Sequence, residues 1–105
     1  SIEAFREAVR LKPIIDRAWY GMGMAYAQLG EHQEAVKALE ESCKLQPLNA
    51  EGRYQLGMAC FHSGDMKRTR AAIIELKNMD SKRANKLIKD TGTHEFDDLI
   101  TELPF

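Results

Sequence analysis

The chain has 105 residues, a formal net charge of -1, and 44% hydrophobic and 30% charged residues. That size and balance fit one globular domain and argue against general nucleic-acid binding, which draws on a surplus of Lys and Arg. No apolar run approaches the roughly 20 residues of a membrane span, so no direct membrane insertion is expected.

The two cysteines, Cys43 and Cys60, fall in no CxxC or metal-ligand spacing, which predicts free thiols in a reducing, cytoplasmic setting. The chain opens on SIEAFREAV without Met. A fragment or a processed form is expected, and no signal peptide is read there.

Taken in order, the chain shows helical spacing throughout and no strand-like alternation. A first helix is expected over Ile2–Leu11, ended by the LKP that contains Pro13. The next spans Arg17–Leu29 and is closed by Gly30; another runs His32–Leu45 and ends at LQP. Ala50–Ser63 is followed by Gly64, and Met66–Met79 by a further helix over Ser81–Asp90. Glu31 and Asp65 precede helices in positions that suit the positive end of the helix dipole. Thr91-Gly92-Thr93 reads as a break. Beyond it, residues 91–105 form an acidic amphipathic tail with Phe96, Leu99, Ile100 and Leu103 on one helical face.

Sliding the chain by 34 residues reveals an internal repeat: YGMGMAYAQLGE lies over YQLGMACFHSGD. Tyr20 falls on Tyr54, Gly23 on Gly57, Met24 on Met58 and Gly30 on Gly64. One copy reads Trp19, Met22-Gly23, Tyr26, Ala35, Leu39, Pro47; the next reads Arg53, Leu56-Gly57, Cys60, Thr69, Ile73, Ser81. This spacing and these residues resemble the tetratricopeptide repeat.

The resemblance implies an all-α fold, a right-handed superhelical array of antiparallel helix pairs. Residues 1–90 would form the repeat domain: a half repeat at 1–15, repeats at 16–49 and 50–83, and a capping helix at 81–90. Gly23 and Gly57 would each face the partner helix of their own pair, where a side chain would force the helices apart.

The family's function is carried on the concave wall. The resemblance places Arg17, Tyr20, Met24 and Gln28 there from the first repeat. Glu51, Tyr54, Gln55, Met58, Phe61 and His62 follow from the second. Repeats that clamp terminal carboxylates carry Asn where Met24 and Met58 stand, so a groove for an apolar or amphipathic segment is expected instead. A protein or peptide partner follows, with a homo-oligomer as the alternative assembly and a regulatory appendage of a larger enzyme as a third reading.

No catalytic motif, cofactor loop or metal-ligand set appears in the sequence. His32, His62 and His94 are expected to lie apart. For the tail, three placements compete: a cap on the end of the array, an occupant of a groove, or a free segment. The basic stretch containing Arg68, Arg70, Lys82, Arg83 and Lys86 is opposite in charge to it.

Overall fold

The computed structural model describes residues 2–4, 6 and 16–102. Most of the expected half repeat at 1–15, including Phe5 and Pro13, lies outside the described residues, as does Leu103. Residues 2–4 and 6 are helical, and from Asp16 onward five helices follow one another: α1 (Asp16–Gln28), α2 (His32–Leu45), α3 (Ala50–His62), α4 (Met66–Met79) and α5 (Ser81–Thr91). Among the described residues one 3-10 turn, Asp97–Leu99, follows them. The described residues contain no strand, and no helix among them is long and apolar enough to cross a membrane.

The helix ends follow from side-chain chemistry. Gly30, Gly64 and Gly92 close α1, α3 and α5 with φ of 78°, 85° and 69°, a left-handed conformation that costs glycine little. Asn49, Asp65 and Asp80 cap α3, α4 and α5, accepting from the backbone N–H of Gly52, Arg68 and Arg83 at 3.2, 3.0 and 3.1 Å. Each such cap contributes about 1 kcal/mol. Glu31 stands at the same point before α2 but makes no side-chain cap; the favoured capping residues have shorter side chains. Asp80 both ends α4 and begins α5, so the two helices meet at one residue.

Each helix packs on its neighbour in sequence, while α1 touches α3 and α3 touches α5 one repeat further on. The result is an array of stacked helices, with α1, α3 and α5 sharing one wall. Two apolar clusters hold it. The first joins α1, α2 and α3 through Met22, Tyr26, Val36, Leu39 and Cys60, with small Ala35, Ala38 and Ala59 between them. Trp19, Tyr20 and Leu56 pack partly buried against this cluster. The second joins α4, α5 and the tail through Ile73, Leu76, Leu87, Ile88 and Phe96.

The tail caps the array. Phe96 is only 1% exposed, and the Arg70 guanidinium lies 5.6 Å over its ring. Arg70 also donates to both carboxylate oxygens of Asp98, at 2.7 and 3.1 Å, and to the Glu95 carbonyl at 2.9 Å. The Asn85 side chain then binds the Thr101 backbone twice: its amide donates to the carbonyl at 2.8 Å and its oxygen accepts from the N–H at 2.9 Å. These contacts fix an irregular segment whose expected helical face does not form. Phe96 is buried and Leu99 partly so, but Ile100 turns outward. With one 3-10 turn in place of a helix, the residues cannot keep a 3.6-residue stripe.

Candidate functional site

The shared wall of α1, α3 and α5 is concave between α1 and α3, where a cavity of about 340 Å³ opens. Six of the residues expected to contact a partner line it: Met24 and Gln28 from α1, and Tyr54, Gln55, Met58 and His62 from α3. They meet because residues three and four apart on a helix share a face, and the two helices present that face side by side. Leu39 and His32 of α2 contribute to the same lining.

The other four expected residues lie elsewhere. Arg17 is exposed at the start of α1. Tyr20 packs against the first apolar cluster. Glu51 is engaged by α5: its carboxylate accepts from the Arg83 guanidinium, and also from the Gln55 amide at 3.1 Å. Phe61 packs against the second apolar cluster, its ring edge-on to His62 at 5.6 Å. One residue of angular offset at the end of α3 separates His62, which lines the cavity, from Phe61, which does not.

Helix α5 supplies what the sequence reading did not assign to the groove. Tyr54 donates its hydroxyl to Asp90, and Lys86 reaches the same carboxylate at 2.6 Å and the Tyr54 oxygen at 3.2 Å. The Lys86 ammonium also stands 4.9 Å over the Tyr54 ring. Lys86 and then Tyr54 hold the Asp90 carboxyl below the usual carboxylate range, and Asp90, then Tyr54, raises Lys86. Burial, followed by the bond to Asp90, pushes the Tyr54 phenol up. Burial also raises Tyr20. The charged groups beside the groove are thus paired with one another, and the floor between them is formed by thioethers and a ring. Position within the repeat could have pointed to this wall: α5 follows α4 as α3 follows α2.

The histidines require a correction. His32 and His62, expected to lie apart, are in contact, their ring centroids 5.1 Å from each other. Antiparallel packing of α2 on α3 sets the first residue of one against the last residue of the other, however distant the two are in sequence. His94 lies in the tail, its Nδ1 2.8 Å from an Asp97 carboxylate oxygen. Among the described residues no three or more His, Cys, Asp or Glu side chains gather to hold a metal ion. Cys43 and Cys60 are both free and buried. Burial raises both thiols, Cys60 to about 11, which keeps them protonated and unreactive.

Residues 16–49, the hairpin of α1 and α2 with the loop that follows, match the family described as tetratricopeptide repeat. No curated protein matches the chain. Repeats of this family are in general protein–protein interaction modules. The matched hairpin is a tetratricopeptide repeat, and the helices that follow stack on it in sequence order, as in a tetratricopeptide-like helical array.

Proposed function

We propose that the chain is a non-catalytic adaptor that takes a peptide or an amphipathic helix along the concave wall. The observation that carries this reading is the convergence of Met24, Tyr54 and Met58, from two successive repeats, on one open cavity bordered by the amides of Gln28 and Gln55. Methionine adapts its shape to a guest side chain, and tyrosine offers a flat apolar face with one polar tip. An apolar anchor of the guest enters between the methionines, and the amides bond its backbone or polar edge. The charges around Glu51 and Asp90 are already paired within the protein, so recognition rests on apolar contact more than on charge.

Assembly through the tail is less well supported, because Phe96 is already buried against its own chain. The test of the adaptor reading is a displayed library of amphipathic peptides, followed by fluorescence anisotropy on the peptides selected. Tyr54→Ala combined with Met58→Ala is expected to weaken their binding at least tenfold, since a few aromatic and adaptable anchors dominate such interfaces. Far-UV circular dichroism should report unchanged helicity. Full affinity in the folded double variant rules the groove out.

A further inference from the structure

We propose that His32 and His62 form a binding site for a soft transition-metal ion, copper(I) in preference to zinc(II), at the edge of the concave cavity. The two rings come from different helices and stand with centroids 5.1 Å apart and planes inclined by 33°. Imidazoles bound to one ion at about 2.0–2.1 Å place each ring centroid about 3.2 Å from it, and a tetrahedral angle at the ion then separates the centroids by about 5.2 Å. The observed centroid spacing matches that separation.

A second observation points the same way. Nδ1 of His32 is buried and has no hydrogen-bond partner, although buried polar atoms in folded proteins are nearly always paired. A bound ion would satisfy it. His62 is exposed, and its ring contacts those of His32 and Phe61. The imidazole of His94, in contrast, is engaged by Asp97.

The neighbouring donors choose the ion. Met24 and Met58 line the same cavity as the two histidines. Thioethers select copper(I), and imidazole serves copper as well as zinc. Structural zinc sites want four nitrogen, thiolate or carboxylate ligands, and no third His, Cys, Asp or Glu joins the pair among the described residues. The thiols of Cys43 and Cys60 are held protonated by burial and are poor competitors at neutral pH.

This site goes beyond peptide recognition, and it is measured with no peptide present, so its failure would leave the adaptor reading untouched. The experiment is an anaerobic titration of the chain with copper(I), in competition with a chromophoric copper(I) chelator. One ion per chain is expected. His32→Gln and His62→Gln should each weaken binding at least tenfold. Met24→Leu with Met58→Leu should weaken copper(I) severalfold, and zinc(II) should bind more weakly than copper(I). In NMR spectra taken with silver(I) as a diamagnetic substitute, the ring signals of His32 and His62 should shift together while those of His94 stay. Helicity of each variant is checked by circular dichroism; His62, exposed at a helix end, is the substitution best placed to leave the fold unchanged. A Cys43→Ala, Cys60→Ala background repeats the comparison without thiols. No displacement of the chelator, equal affinity in His62→Gln, or tighter binding of zinc(II) overturns the proposal.

Discussion

Gly23 and Gly57 occupy the same position of successive repeats, yet they make room for different neighbours. A Cβ at Gly23 would lie 2.6 Å from Cγ of Leu39 and 3.4 Å from the carbonyl oxygen of Ala35, both on the partner helix α2. At Gly57 the closest atom is Cδ2 of Leu87, at 2.5 Å, from α5; the partner helix α4 comes only to 3.5 Å, through Ala72. The first glycine draws a hairpin together. The second lets one repeat dock on the next, which corrects the expectation that both serve their own pair. The same division runs through the apolar interior: one cluster is built by α1, α2 and α3, the other by α4, α5 and the tail. Equal positions in a repeated sequence thus answer to unequal surroundings, and the surroundings at the second position include a segment outside the repeat.

Phe96→Ala should break the comparison most severely. Removing a buried phenylalanine costs about 3–5 kcal/mol. The loss should fall on the second cluster, so hydrogen exchange is expected to lose protection in α4, α5 and the tail before α1 and α2. Uniform loss along the chain would show instead that the two clusters open as one.

The glycines themselves give a sharper and smaller contrast. Alanine in place of glycine gains about 1 kcal/mol of helix propensity, against about 1–3 kcal/mol for overpacking a filled site. Gly23→Ala meets a branch carbon of Leu39, itself 1% exposed, and a backbone carbonyl, so the clash should win and lower the midpoint of urea unfolding. Gly57→Ala meets a terminal methyl of Leu87, itself fully buried, but no backbone atom, and should cost less. A larger loss at Gly57 would reverse the ranking.

Acid titration provides the smallest effect. The Arg70 guanidinium, bonded to Asp98, holds that carboxyl below its ordinary range. A depressed carboxylate stabilises the fold at pH values above its unfolded pKa, and the contribution disappears as pH falls through the lowered folded value. Asp98→Asn should therefore reduce the acid-side decline in melting temperature and change little else, because the Asp98 side chain is mostly in solvent. An unaltered acid limb would mean that Arg70 holds the tail through Phe96 and the Glu95 carbonyl alone.

Much of the fold was legible because each helix carries its own punctuation. Gly30 and Gly64 mark ends, Glu31 and Asp65 mark beginnings, although only Asp65 makes a side-chain cap, and α2 and α4 start and stop at the residues their spacing indicates. The ends of α1 and α3 differ by one residue, Leu29 and Ser63 falling into the turn, as fraying termini do. The groove was partly legible, since Met24, Tyr54 and Met58 repeat in register. Long-range pairings were not. Nothing local to His32 announces His62, and nothing local to Tyr54 announces Asp90 and Lys86, because those contacts are set by how helices stack. The tail was least legible: its apolar residues fit a helical stripe, but two side chains anchored elsewhere, Arg70 and Asn85, bind its backbone and hold it in another shape.

The tail also gives the stack a direction. α5 closes on a left-handed glycine as α1 and α3 do, and in the earlier repeats a second helix follows; here a single aromatic ring sits in the interior instead. Any further hairpin offered to that side, from another protein or another copy, would first have to evict the ring and its guanidinium lid.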